Sequence, residues 1–197
     1  MFIRVVMMIN TYVGPMFSGK SAALIAIYKE MSEEEKKGVL AFKPKRDDRD
    51  GAEIKSRVYE ETIPAESIEY FEEMYRYIEE KMNDGINVHS IFIDETQFLH
   101  GDVQVLNDLL LSYGIDFYIS GLNLTSEQKP FGSMPEVMAI SNYVKPIVGI
   151  CDMCGGPSFY TFSVEEKTGD VRTGDAGYIA LCLNCLREQK KVRKNAK

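Results

Sequence analysis

The sequence predicts an α/β protein, a parallel sheet covered by helices on both faces, followed by a small cysteine-bearing appendage. Three observations predict it. Over the first 150 residues short β-rich runs alternate with longer helical patterns, the arrangement that buries a parallel sheet between helical layers. A glycine-rich loop, Gly14 to Ser21, separates the first strand pattern from the first helix pattern, and a helix N-terminus placed there favours a phosphate. From Cys151 the sequence turns rich in Gly, Cys and turn residues, with no long amphipathic helix until the end.

The elements follow in order. Val5 to Thr11 reads as a buried strand, bounded by Gly14 and Pro15. Ser21 to Met31 has helical composition, with Leu24, Ile27, Tyr28 and Met31 on one face. Val39 to Phe42 is a second strand ended by Pro44, and a polar loop without periodicity runs from Lys45 to about Pro64. Ile68, Phe71, Met74, Tyr75, Ile78 and Met82 make an apolar stripe on a helix. Val88 to Ile93 is a strand, Val103 to Tyr113 a helix and Ile115 to Ser120 a strand. Pro135 suits a first helical position, with Ser133 near the cap and the helix ending about Asn142. Pro146 to Ile150 is expected to close the sheet. A boundary near residue 150 divides the chain into a P-loop nucleotide-binding α/β domain, 1–150, and a zinc-ribbon-like unit, 151–197. Arg187 to Lys197 holds six Lys or Arg and one Glu, and reads as a frayed, solvated tail.

Composition narrows the function. With 30 acidic and 23 basic side chains the net charge is −7, which argues against a nucleic-acid binder with a basic face. Nothing approaches the roughly 18 to 20 apolar residues of a membrane span, and Val5 to Ile9 is too short for a signal-peptide core. Four cysteines in Cys-x-x-Cys pairs do not make a secreted disulfide scaffold. The expectation is a cytoplasmic protein without membrane or nucleic-acid partners.

Gly14-Pro15-Met16-Phe17-Ser18-Gly19-Lys20-Ser21 fits G-x-x-x-x-G-K-[ST] at every fixed position. The glycines let backbone N–H groups wrap phosphate oxygens, Lys20 reaches the β- and γ-phosphates, and the Ser21 hydroxyl ligates Mg²⁺. The other half of such a site is an acidic residue ending a neighbouring apolar strand. Ser90-Ile91-Phe92-Ile93-Asp94-Glu95 supplies Asp94 for Mg²⁺, through water, and Glu95 where a carboxylate takes a proton from an attacking hydroxyl or water. Together these make a nucleoside-triphosphate site. Cys151-x-x-Cys154 and Cys182-x-x-Cys185 can complete a tetrahedral Cys₄ Zn²⁺ site, which would be structural because four thiolates leave no position for substrate. His89 and His100 lack metal-ligand spacing and read as structural.

In combination these residues resemble the zinc-containing thymidine kinase family. The matching stretches are Gly14 to Ser21, Lys43-Pro44 followed by Asp47-x-Arg49, Phe92-Ile93-Asp94-Glu95-x-Gln97-Phe98, Gly121-Leu122-Asn123, Pro130-Phe131 and both cysteine pairs, in the family's order over residues 5 to 186. The resemblance implies a RecA-like α/β domain with a small zinc domain carrying a substrate-covering lasso. It implies transfer of the γ-phosphoryl of ATP to the 5′-hydroxyl of deoxythymidine or deoxyuridine, by an enzyme assembled as a homotetramer. Glu95 falls on the catalytic base, Asp94 on the Mg²⁺-linked aspartate, and Arg49 on an arginine near the transferring phosphate, accompanied by Asp47. The nucleoside positions fall on Met16, Phe98, Leu122, Phe131, Thr161 and Tyr178. Departures cluster around the lasso: Val171-Arg172-Thr173-Gly174 precedes Tyr178, Ser126 replaces an aromatic, and Phe162-Ser163 follows Thr161 where a basic residue is usual. Two other readings use the same motifs. One is a nucleic-acid-dependent P-loop ATPase with a zinc ribbon, which the acidic charge disfavours; the other is a nucleotide-binding regulator that has lost catalysis.

Overall fold

The computed structural model describes residues 7–47, 51–56, 59–165 and 177–195. The strands are β1 (Ile9–Val13), β2 (Val39–Pro44), the short β3 (Glu53–Ile54) and β4 (Ile63–Pro64), β5 (Glu66–Ile68), β6 (Ser90–Ile93), β7 (Asp116–Gly121), β8 (Tyr143–Pro146), β9 (Gly149–Ile150), β10 (Pro157–Ser158), β11 (Tyr160–Ser163) and β12 (Tyr178–Leu181). The helices are α1 (Lys20–Glu30), α2 (Glu33–Lys36), α3 (Phe71–Asn83), α4 (Gln104–Tyr113), α5 (Met134–Ile140) and α6 (Leu183–Asn195). Six strands form one sheet in the order β5-β2-β6-β7-β1-β8, with every neighbouring pair parallel. The strand before the glycine-rich loop and the strand before Asp94 are thus separated by β7, the RecA-like arrangement.

Side-chain alternation splits the core into two layers. Ile91 and Ile93 of β6 and Phe117 and Ile119 of β7 face Phe71, Met74 and Ile78 of α3 and Leu106 and Leu109 of α4. Phe92, between them in sequence, faces Leu24 and Ile25 of α1, with Tyr118 packed alongside at 4.8 Å between ring centroids. A third cluster joins Phe162, Leu181 and Leu186 to Cys151 and Cys185. Among the described residues no helix is long and apolar enough to cross a membrane.

Four local differences from the sequence reading have physical causes. The first strand begins at Ile9, because the Met8 N–H bonds to Asp116 Oδ1 at 2.7 Å instead of joining a ladder, and it runs on to Val13 between two parallel neighbours. Residues 5 and 6 of the expected strand lie outside the described residues. The polar loop holds β3 and β4, paired antiparallel to bury Ile54 and Ile63; two apolar residues are too few to show a period. The sheet is closed by Tyr143–Pro146, whose side chains are largely exposed, while Gly149–Ile150 pairs with β10. An edge strand with that exposure carries little hydrophobic signal. The basic C-terminal segment is helical to Asn195 and not frayed. The Arg193 guanidinium lies 4.4 Å from the Phe162 ring centroid and donates to the Ser163 carbonyl.

His89 bridges Ser90 Oγ and the Glu35 carbonyl, each at 2.9 Å, and the exposed His100 lies beside Tyr70. Replacing Arg193 by Ala is expected to cost about 1–2 kcal/mol, for a cation–π contact and one charged hydrogen bond. Urea unfolding measures the loss, and hydrogen exchange over residues 185–195 should quicken. An unchanged midpoint with unchanged exchange would show that the helix end is held by other contacts.

Candidate active site

A parallel sheet delivers all its strand ends to one edge, so residues following β1, β6 and β7 meet there. The register makes this concrete. Ile93 is level with Ile119 and Gly121 with Val13, so Asp94, Ser120 and the start of the glycine-rich loop crowd one part of the edge. Neighbouring strands are about 4.8 Å apart, which leaves roughly 10 Å between the ends of β1 and β6, room for a polyphosphate between a lysine and a carboxylate.

The loop from Gly14 to Gly19 leads straight into α1 at Lys20. Gly14 is pressed against the chain leaving β8: a Cβ there would lie 2.2 Å from the Ile147 carbonyl oxygen. Gly19 at φ +89° turns the loop into the helix, a conformation open to glycine at little cost. Lys20 is buried, and its ammonium donates to the Pro15 carbonyl at 2.9 Å, across the loop. Ser18 Oγ is buried and has no hydrogen-bond partner among the described residues, and the loop precedes an eleven-residue helix whose first N–H groups have no intrahelical acceptor. An anion fits this donor set.

Asp94 is 7% exposed. Its Oδ1 accepts from the Glu95 N–H at 2.9 Å and from the Ser120 hydroxyl. Burial, and then the neighbouring Glu95 carboxylate, push its pKa above the usual aspartate value, while the Ser120 and Ser21 hydroxyls oppose the shift. The serine that opens α1 and the strand-end aspartate, 73 positions apart in the chain, are therefore within electrostatic reach of each other. A carboxylate disfavoured by burial and by a like charge, with a hydroxyl beside it, is a donor set suited to a hard divalent cation. Glu95 itself is left-handed at φ +50°, and its side chain is partly exposed at the edge. Two residues without an assigned role also belong here. Ser120 could have been found only from the β6–β7 register. Gln97 stands inside the Asp94-to-Phe98 motif, 2% exposed, where a polar residue between apolar positions was the available signal.

Four of the six expected nucleoside positions fall into two pairs. The Met16 N–H donates to Thr161 Oγ1 at 2.9 Å, tying the phosphate loop to β11. Phe98 and Phe131 meet edge to face at 5.3 Å and line a cleft of about 510 Å³ with Gln97, Arg46 and Ile68. Met16, Leu122, Thr161 and Tyr178 are outside that cleft's lining. Leu122 is buried, and Tyr178 pairs with Ser163 across β11 and β12. Asp47 is 5% exposed and sits 3.4 Å from the equally buried Lys43 ammonium. Arg49 and the lasso residues Val171 to Gly174 lie outside the described residues. Ser126 offers its carbonyl to Gln128 Nε2 at 2.6 Å.

Cys151, Cys154, Cys182 and Cys185 come together, all four sulfurs within 4.8 Å of one another, with Cys154 and Cys182 sulfurs 3.7 Å apart. Tetrahedral zinc with bonds of about 2.3 Å requires sulfurs about 3.8 Å apart, so the four thiols could hold a metal and are consistent with zinc. The unit abuts the glycine-rich loop through Thr161, which accepts from the Met16 N–H, and the chain leading into it passes Ser18 at Gly149.

The fold and this edge define an α/β protein with a parallel six-stranded sheet and a four-cysteine unit in contact with its glycine-rich loop. A sequence model of the family described as thymidine kinase matches residues 7–186. Curated relatives bear the same name: a thymidine kinase of Pseudothermotoga lettingae is 29% identical over 88% of this chain and 91% of its own. One of Mycoplasma mobile is 34% identical over 90% and 86%, and one of Onion yellows phytoplasma 36% over 75% and 68%. The chain belongs to the thymidine kinase family, a family of kinases.

Replacing Asp47 by Asn leaves the Lys43 ammonium buried without its counter-charge, at an expected cost of about 3–5 kcal/mol in urea unfolding. Replacing both partners together, Lys43→Met with Asp47→Leu, should recover most of that loss. Equal destabilisation by single and double variants would refute the pairing.

Proposed function

We propose that this chain is an ATP-dependent thymidine kinase, transferring the γ-phosphoryl of ATP to the 5′-hydroxyl of deoxythymidine, and of deoxyuridine, to give the monophosphate. The observation that carries the reading is that the parallel sheet brings the end of the glycine-rich loop's strand and the Asp94–Glu95 end of β6 to one edge, in a member of this family. Bound Mg²⁺ would neutralise charge on the phosphates. Loop N–H groups from Gly14 to Gly19 and the Lys20 ammonium hold the phosphates, and Ser21 and Asp94 orient the cation. Glu95 accepts the proton of the 5′-hydroxyl as it attacks, a role worth about 10² to 10⁴ in rate. Arg49 neutralises the transferring phosphoryl, with Asp47 as its companion. Phosphoryl transfer needs little covalent help, so positioning and charge neutralisation carry the catalysis.

Met16, Phe98, Leu122, Phe131, Thr161 and Tyr178 form the nucleoside pocket in this reading. A slot that fits the thymine methyl discriminates against uracil by only about 1–3 kcal/mol, which is why deoxyuridine stays a substrate. The four thiolates hold one structural zinc in a lasso unit, 151–197, distinct from the P-loop domain, 1–150. The net charge of −7 suits an enzyme of a free nucleoside over a nucleic-acid-dependent ATPase, and family resemblance supports a homotetramer in the cytoplasm.

A phosphoryl-transfer assay with ATP, Mg²⁺ and a panel of nucleosides, with and without DNA, tests the reading. ATP hydrolysis that needs DNA and ignores nucleosides would replace it with the ATPase. Glu95→Gln is expected to lower turnover by about 10² to 10⁴ with ATP affinity retained, and near-normal turnover would remove Glu95 as the base. Cys182→Ser with Cys185→Ser should raise the apparent nucleoside KM or unfold the unit. Metal analysis of the purified wild type should find close to one zinc per chain, and a value far below that would sink the zinc centre.

A further inference from the structure

Gln97 lies two residues beyond Glu95 and is almost wholly buried, at 2% exposure. Its side chain is held at both ends. Oε1 accepts from the Leu122 N–H at 2.8 Å, and Nε2 donates to Glu95 Oε2 at 2.5 Å. The amide can face only one way, because a backbone N–H can be met by the carbonyl oxygen and not by the NH₂ group. The NH₂ is therefore committed to the Glu95 carboxylate.

The backbone beneath is equally constrained. Thr96–Phe98 forms a 3₁₀ turn, closed by the Phe98 N–H on the Glu95 carbonyl at 3.1 Å. The Ser133 hydroxyl donates to the Thr96 carbonyl at 2.8 Å. The chain after Phe131 passes so close that a Cβ on Gly132 would lie 1.8 Å from the Gln97 carbonyl oxygen. A rigid amide thus faces a carboxylate that stands on a left-handed residue at the partly exposed edge. Glutamate has three side-chain torsions, and a base must present its oxygen within hydrogen-bond reach of the proton it takes.

We propose that Gln97 is a positioning residue for the reaction: it fixes the Glu95 carboxylate against the end of β7, so that base and nucleoside pocket share one frame through Leu122. This rests on the reading of Glu95 as the base. In that reading Gln97 takes no part in the bond changes and acts on turnover through Glu95, so its effect on kcat must vanish when Glu95 can no longer accept a proton.

The experiment is a double-mutant cycle with Glu95→Gln and Gln97→Met, the methionine being unbranched, similar in length and unable to donate. Kinetics are measured for both substrates, beside thermal unfolding. Gln97→Met is expected to lower kcat about 10- to 100-fold, the range for outer-shell partners of reactive groups, with the ATP KM changed less than about threefold. Added to Glu95→Gln it should lower kcat by less than about twofold more, since residues that act as a unit are non-additive. Losses that multiply in the double variant would mark a merely structural role and overturn the proposal. So would a kcat for Gln97→Met within twofold of wild type, and if Glu95→Gln is crippled in the same set, only this proposal falls. Near-normal turnover of Glu95→Gln removes the base reading and this inference with it. If the methionine variant unfolds, Gln97→Glu keeps an acceptor for the Leu122 N–H, and at mildly alkaline pH it is expected to show the same loss of kcat and the same non-additivity.

Discussion

A carboxylate buried at the end of a parallel strand is an expensive feature, and the site is arranged around it. Asp94 gives up water, and the adjacent Glu95 adds a like charge, so its charged form is doubly disfavoured. What offsets this comes from three places in the chain: the Glu95 N–H, Ser120 at the end of β7, and Ser21 in the first turn of α1. Each depends on strand order. With β7 between β1 and β6, a hydroxyl can stand beside the aspartate on one side while the phosphate loop stays a strand further away, leaving a gap for phosphates. Were β1 and β6 neighbours, the same motif residues would crowd together with no space for the anion.

The second organising contact joins the cysteine-bearing unit to the phosphate loop. The Met16 N–H is satisfied by Thr161 of β11, and Gly149 comes up against Ser18. The metal-type cluster, the β11–β12 ribbon and the C-terminal helix share one small apolar core, braced by Arg193 over Phe162. A unit of this size buries little apolar surface, which is where a metal contributes most to folding. Its stability therefore bears on the geometry of a loop more than 130 residues earlier in the chain.

Legibility followed the nature of each signal. The glycine-rich loop, the Asp94–Glu95 pair and the two cysteine pairs are local patterns whose spacing is itself the chemistry; the α3 stripe carries strong periodicity, and the strands around Ile91 and Ile119 are legible as short apolar runs. The exposed edge strand Tyr143–Pro146 and the β3–β4 pair carry almost none, since one is solvated and the other has a single buried apolar residue on each strand. The basic C-terminal run looks like a solvated tail in sequence because the contact that holds it, a guanidinium on an aromatic ring and a carbonyl, is made 30 residues away.

From sequence alone the α/β class, the phosphate loop, the acidic pair, the cysteine quartet and the resemblance to thymidine kinases all followed, because each is written in neighbouring residues. Only the tertiary structure decided that Ser21 and Ser120 share Asp94, that Thr161 takes a phosphate-loop amide, and that Gln97 links Glu95 to Leu122. Those contacts join residues from 2 to 145 positions apart. Even the nearest, Gln97 on Glu95, turns on which way an amide faces, and that was settled by a backbone N–H 25 residues further on.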